Sequence, residues 1–183
     1  MGQHKSVNIR QISRNRAEQV GYNRFLENEN VTVSELVQSR SGPCQKNIEG
    51  RHVLAVSDSS EINLQSHACR LKPEQLGVVG NNKDVGFYLH PTLVLDAENG
   101  FPLGLSTVQL WSRGLEHKNK HERNYQNLPI EQKESYKWLA SAEGSQRCLT
   151  KGGAKMVTHI GDRESGLYPT FRTPNWHIGR LSG

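Results

Sequence analysis

Two aspartates at the ends of short apolar runs are the residues of this chain best suited to chemistry. Asp58 ends the run His52–Asp58, and Asp162 ends the run Lys155–Asp162. Each run is short and rich in β-branched residues, which predicts a buried strand with a carboxylate at its carboxyl end. If the two strands lie side by side, the carboxylates converge at one edge of a sheet, where they can hold divalent metal for phosphodiester chemistry. Sites of this kind normally have a third carboxylate, which the sequence does not identify.

The elements between the two aspartates predict how these strands are arranged. Strands are expected at Phe87–Leu95 and Leu103–Trp111, joined by a turn at Asp96–Gly100 into an antiparallel hairpin. A helix is expected within Ile130–Leu149, before the strand that ends at Asp162. Three strands followed by a crossover helix can return the fourth strand parallel to the first and beside it. The order of elements therefore agrees with convergence of the two carboxylates.

Two local features of the sequence predict irregularities in this sheet. Pro91 interrupts the second predicted strand, which favours an edge position or a bulge there. The segment Ser59–Asn82 is polar and contains several glycines, so it is expected to be an irregular insertion or loop.

The N-terminal part of the chain is predicted to be helical. Arg14–Leu26 carries a rough helical stripe of apolar residues, and Thr32–Glu35 fits a capping box that opens a second short helix. Ser41–Pro43 is interpreted as a linker. The predicted domains are therefore a helical region at 1–45 and an α/β domain at 46–183. The two helices are either a DNA-contacting element or an accessory pair packed on the core.

Composition restricts the class of protein and the kind of partner. The chain has 183 residues, of which 34% are apolar, and no apolar stretch approaches the length of a membrane span. Its net charge of +5 favours a polyanionic partner, because basic residues neutralise phosphates and release their counterions. The three cysteines are odd in number and far apart, which indicates a reduced cytosolic compartment.

Basic residues in two regions are candidates for contacts with DNA phosphates. They are Arg14, Arg16 and Arg24 in the predicted helical region, and Lys118, Lys120 and Arg123 in a predicted loop. The alternative for the loop is an ordinary solvated surface, and the sequence leaves both interpretations open.

Several separated segments carry a family resemblance in a consistent order. They are Ala17–Val31, Val53–Glu61, Tyr88–Asp96, Pro102–Leu105, Gln109–Trp111, Ile130–Trp138 and His159–Ser165. Together they resemble bacterial insertion-sequence transposases of the cut-and-paste DDE class, which have an RNase H-like catalytic core. The first segment resembles the end of the N-terminal DNA-binding region of that family.

The resemblance implies an α/β fold with a mixed RNase H-like sheet and flanking helices, preceded by a small helical segment. Asp58 matches the first catalytic aspartate, with Ser59-Ser60 in place of the commoner Thr-Thr, and Asp162 matches the second. Both are implied ligands of Mg²⁺ or Mn²⁺ for metal-dependent DNA strand cleavage and transfer at the element ends. The implied partners are double-stranded DNA and a second copy of the chain as a homodimer, with no membrane. The implied location is the bacterial cytoplasm, in association with the nucleoid.

The sequence departs from the family pattern after Asp162. The family's third catalytic residue, a glutamate on a later helix, is not identified there, and the sheet is expected to lack its last strand. The family also usually has a longer stretch before the equivalent of Ala17, so the chain is expected to be truncated at both ends.

One interpretation is a transposase fragment that is inactive alone. The alternatives are a non-catalytic DNA-binding or dimerising regulator derived from a truncated transposase, and a degenerate product with a partly folded core. Whether the chain is an enzyme by itself stays open.

Overall fold

A computed structural model describes residues 8–115 and 128–162, together with the backbone of residues 176–180. The described helices are α1 (Ile9–Ile12), α2 (Arg16–Leu26), α3 (Val33–Asn47), α4 (Pro73–Leu76) and α5 (Tyr136–Lys151). The described strands are β1 (His52–Ser57), β2 (Ser60–Asn63), β3 (Val78–Val79), β4 (Asp84–Asp96), β5 (Pro102–Trp111), β6 (Met156–Gly161) and β7 (Trp176–Arg180). Within these residues no helix is long and apolar enough to cross a bilayer.

The strands form a mixed sheet with β1 near its centre. β1 pairs antiparallel with β4 on one side and parallel with β6 on the other. β5 is antiparallel to β4, and β7 is parallel to β6, so the main strands follow the order β5-β4-β1-β6-β7. The prediction that the fourth strand returns beside the first and parallel to it is confirmed. The expectation of a sheet without a further strand is wrong, because Trp176–Arg180 forms β7.

One face of the sheet packs against α5 and the end of α3. The buried residues of α5 recur at spacings of three and four, which places them on one side of the helix. They meet alternate residues of β1, β4 and β6, as expected where strand side chains alternate between faces. The apolar core of this layer consists of Cys44, Ile48, Val53, Ala55, Val94, Leu149 and Val157.

The same layer becomes polar toward the carboxyl end of β1. Ser57 Oγ lies 2.8 Å from Thr92 Oγ1, which joins β1 to β4. Ser106 Oγ lies 2.8 Å from Ser145 Oγ, which joins β5 to α5. All four residues are buried. Their hydroxyls satisfy one another, so this polar region is stable without contact with water.

The interpretation of Ser41–Pro43 as a linker is wrong, because α3 runs through this segment to Asn47. Pro43 has no amide N–H, so the carbonyl of Ser39 lacks the donor that a regular helix would supply. The helix persists because Cys44 and Ile48 are completely buried in the core just beyond the proline. The chain divides into two compact units between Ser39 and Arg40, next to the residue whose helical hydrogen bond is missing.

The first unit contains α1, α2 and the beginning of α3. The capping box at the start of α3 is confirmed, since Thr32 Oγ1 accepts the Glu35 N–H at 3.2 Å and the Glu35 carboxylate accepts the Thr32 N–H at 3.0 Å. In α2, Asn15 caps the helix by accepting the Glu18 N–H at 2.9 Å.

Of the two alternatives predicted for Pro91, an edge position or a bulge, the edge position is wrong. β4 is an interior strand, paired with β1 and β2 on one side and with β5 on the other. Pro91 is paired with Val108 of β5, and on its other side it lies opposite the gap between β1 and β2. Register shifts against β5 occur just beyond it, after Thr92 and after Val94, in agreement with the bulge alternative. The segment Ser59–Asn82, expected to be irregular, contains β2, α4 and β3.

We expect Leu149→Ala to lower the free energy of unfolding of the second unit by about 2–5 kcal/mol, because this side chain is completely buried in the core. Urea denaturation followed by tryptophan fluorescence measures the change. Leu115→Ala is the control, since Leu115 is 51% exposed and its truncation should change stability by no more than about 0.5 kcal/mol. Equal effects of the two variants would contradict the placement of the core.

Burial lowers the pKa of His159 from 6.5 to about 4. The folded chain therefore binds a proton here less readily than the unfolded chain, and stability falls as the pH is lowered from 6.5 toward 4. We expect the loss between pH 7 and pH 4.5 to be smaller in His159→Gln by roughly 2–3 kcal/mol. Urea denaturation at the two pH values tests this, with His67→Gln at an exposed histidine as the control. An unchanged pH dependence in His159→Gln would refute it.

Candidate active site

The structure brings Asp58 and Asp162 to the same edge of the sheet. Val56 of β1 is paired with Ile160 of β6, and each aspartate lies two residues further along its strand. Neighbouring strands are about 4.8 Å apart, so the two aspartates follow equivalent positions on adjacent parallel strands. If the alternation of side chains continues for these two residues, both carboxylates also fall on the same face. Both residues are exposed, which leaves them accessible to a ligand.

Asp58 lies in the gap between β1 and β2, and the register of β4 shows what faces this gap. β1 pairs Ser57 with Thr92, and β2 pairs Ser60 with Leu89. The same register therefore places Asp58 opposite Pro91 and Ser59 opposite His90. Since proline has no amide N–H, the residue opposite Asp58 cannot donate a backbone hydrogen bond to it.

The turn at Asp58 is held by side-chain hydrogen bonds. Asp58 Oδ1 accepts the N–H of Ser59 at 2.7 Å, which fixes the carboxylate beside the backbone that follows it. Ser59 Oγ lies 2.8 Å from His90 Nδ1. The imidazole thus supplies a polar contact beside the position where Pro91 supplies none.

His90 is completely buried and is neutral at physiological pH. Burial, and secondarily the positive charge of Lys137, lower the pKa of His90 from 6.5 to about 4, against a smaller opposing effect of Asp58. The edge of its ring meets Trp138, with the ring centroids 4.6 Å apart and the planes at 89°. Among the described residues, His90 Nε2 has no hydrogen-bond partner. The hydrogen bond described for this ring is therefore the one to Ser59.

A row of rings and cations supports this end of the sheet. Tyr88 and Trp111 are stacked with centroids 5.4 Å apart, and the Arg113 guanidinium lies 5.1 Å from the centre of Tyr88. The Lys137 ammonium lies 5.8 Å from the centre of Trp111 and 5.5 Å from that of Trp138. These distances are typical of cation–π contacts. The row joins β4, β5 and α5 and ends at the tryptophan that packs against His90.

The chemistry of the two carboxylates suits a hard divalent cation. Mg²⁺ is commonly bound by one or two carboxylates together with water, and Asp58 and Asp162 are side chains of this type. In the described part of the chain, no group of three histidine, cysteine, aspartate or glutamate side chains is close enough to hold a metal ion.

The other predicted site residues are either distant from this edge in the sequence or outside the described residues. Arg14 and Arg16 lie at the start of α2, and Arg24 lies in its last turn. All three are exposed, and the Arg14 side chain is 85% accessible. Lys118, Lys120 and Arg123 lie outside the described residues.

The sequence interpretation did not identify Ser59 and His90 as a pair. The sequence contains Asp58-Ser59 just after one predicted strand and His90-Pro91 within the next. These dipeptides indicate a contact only when the register of the two segments is known. A hairpin prediction with a defined register would place the two side chains opposite each other.

A separate cleft of about 500 Å³ lies at the opposite edge of the sheet. Its lining includes Arg51, which precedes β1, and Asp96, which ends β4. The Glu98 N–H and the Arg51 guanidinium, the latter at 2.6 Å, hold the pKa of the Asp96 carboxyl below its usual value. The ion pair joins the start of β1 to the end of β4, while the Glu98 N–H contact lies within the turn between β4 and β5; both are remote from Asp58.

The chain matches no protein-family model.

Proposed function

We propose that this protein is part of a DDE-type DNA transposase of a cut-and-paste insertion sequence, with a metal-dependent site at Asp58 and Asp162. The observation that carries the proposal is the parallel register of β1 and β6, which places the two aspartates at equivalent positions on adjacent strands. Two neighbouring carboxylates of this kind suit the cleavage and transfer of DNA phosphodiesters.

The order of strands supports an RNase H-like fold for the second unit. The antiparallel strands β1, β4 and β5 come first, followed by α5 and by β6 and β7, which run parallel to β1. This is the arrangement expected from the order of elements in the sequence, in which a crossover helix returns the chain beside the first strand, and it is compatible with the RNase H-like sheet that the family resemblance implies.

In the proposed reaction, the two aspartates hold the cation and so orient the phosphate whose bond is broken. A bound Mg²⁺ or Mn²⁺ would stabilise the negative charge that develops on phosphate oxygens during an in-line displacement. The family resemblance implies a third carboxylate, so we propose that this chain supplies two of the metal ligands and that efficient DNA cleavage requires a third. The proposed partners are double-stranded DNA at the element ends and a second copy of the chain, at the bacterial nucleoid.

We expect Asp58→Asn and Asp162→Asn each to weaken Mn²⁺ binding by roughly tenfold or more, because the charge of the ligands sets the affinity of such sites. Titration of the full chain with Mn²⁺, followed by electron paramagnetic resonance, measures the free ion directly, and Mg²⁺ should compete. Glu74→Gln, at an exposed carboxylate on α4, is the matched control and should change the affinity by less than about twofold. Wild-type affinity in Asp58→Asn would overturn the proposal.

The second candidate function is a DNA-binding regulator without cleavage activity. It is favoured by the exposed arginines Arg14, Arg16 and Arg24 on a helical unit separate from the sheet. Arg14 and Arg16 have neighbours within the unit: the Arg14 guanidinium lies 4.0 Å from Glu18, and Arg16 donates to Gln19 at 3.0 Å. Exposed ion pairs of this kind are weak, so these side chains can exchange their partners for phosphates.

We expect a triple variant, Arg14→Gln with Arg16→Gln and Arg24→Gln, to bind double-stranded DNA more weakly, whatever the sequence of the DNA. The slope of log affinity against log salt should become shallower by about 0.9 for each phosphate that is no longer neutralised. Fluorescence anisotropy over a range of NaCl concentrations measures both quantities. Lys155→Gln, at an exposed lysine of the second unit, is the control. An unchanged slope in the triple variant would exclude these arginines from the DNA interface.

A further inference from the structure

The gap between β1 and β2 places the candidate metal ligand opposite a residue of β4 that cannot donate a backbone hydrogen bond to it. Asp58 faces Pro91, which has no amide N–H, while the residues on either side of the gap pair normally with β4. A carboxylate in such a gap would change its direction easily unless side chains restrained the turn.

Ser59 and His90 provide that restraint. Their side chains project from directly opposed positions and meet at 2.8 Å between Oγ and Nδ1. The Ser59 N–H donates to the Asp58 carboxylate at 2.7 Å. Ser59 therefore connects the imidazole to the carboxylate, through its hydroxyl on one side and its N–H on the other.

The imidazole is itself held in a fixed position. His90 is completely buried beneath α5, and Trp138, which is only 4% exposed, packs against it at 4.6 Å between ring centroids. A buried ring packed in this way has little freedom to rotate, so its Nδ1 is directed at Ser59. Mutation of residues that orient the ligands of a metal typically lowers the metal affinity by about 10- to 100-fold.

We propose that His90 is a positioning residue, which acts through the Ser59 hydroxyl to direct the Asp58 carboxylate toward Asp162. The metal-binding consequence rests on the proposed function, whereas the restraint of the turn does not. His90 itself contacts neither metal nor substrate in this arrangement.

The restraint is tested in the metal-free full chain by hydrogen exchange of the Ser59 amide, whose N–H belongs to the turn. Ser59→Thr keeps a hydroxyl, and His90→Asn keeps a polar group near the position of Nδ1, so both should stay within about threefold of wild-type exchange. In His90→Leu and in Ser59→Ala, the amide of residue 59 should exchange about tenfold faster than in wild type, or more. Ser66→Ala, at an exposed serine, is the control. Since His90→Leu can also fail to fold, Ser59→Ala is the deciding variant. Unchanged exchange in Ser59→Ala would overturn the proposal.

The consequence for the metal site is tested by Mn²⁺ titration of the same variants. We expect Ser59→Ala to lower the affinity by about 10- to 100-fold, with recovery in Ser59→Thr and with the urea midpoint close to wild type. A merely structural role would change the urea midpoint and leave the affinity of the folded protein unchanged, which would overturn the inference. If wild type shows no Asp58-dependent binding, the proposed function fails, and hydrogen exchange alone decides whether His90 restrains the turn.

Discussion

Parallel pairing between β1 and β6 is the constraint on which the rest of the second unit depends. Two parallel neighbours cannot be joined by a tight turn, so the chain must cross from one end of the sheet to the other between them. In the described residues α5 makes this crossing, and its length of 16 residues corresponds to about 24 Å at 1.5 Å per residue. That length matches a six-residue strand and its connections, so α5 can cover the face of β1 and β4 as it returns.

The layer between the sheet and its covering helices, α5 and the end of α3, differs between its two ends. Near the amino end of β1 the contacts are apolar, with Ile48, Val53 and Leu149 in the core. Toward the carboxyl end the contacts are hydrogen bonds of hydroxyl, imidazole and amide groups. One example is Gln109 Nε2, which donates to Ser141 Oγ at 2.5 Å. Apolar contacts tolerate small displacements, whereas buried hydrogen bonds require defined distances and angles. The end of the sheet that carries Asp58 is thus the end whose geometry is most closely specified.

Local patterns in the sequence predict much of this fold, but they predict few of the contacts that hold the turn at Asp58 in place. The strands that end before Asp58 and Asp162 have clear apolar runs, and the crossover helix between them implies their parallel pairing. Thr32 and Glu35 form the capping box that their spacing predicts. In contrast, α3 continues through Pro43 because of buried contacts more than 100 residues away in sequence, such as that of Gln45 with Cys148. No local pattern contains that information, because the stabilising partner lies in another element.

The relation between Ser59 and His90 is of the same kind, since it depends on the register of two strands rather than on either segment alone. Pro91 correctly indicates an irregularity, but its location differs from the edge-strand prediction: β4 stays inside the sheet, and the facing strand is interrupted instead. The hydrogen bonds of Ser59 restrain the turn at Asp58 although Asp58 itself is exposed. This restraint therefore acts on the position of an exposed carboxylate as well as on the packing of the buried layer beneath it.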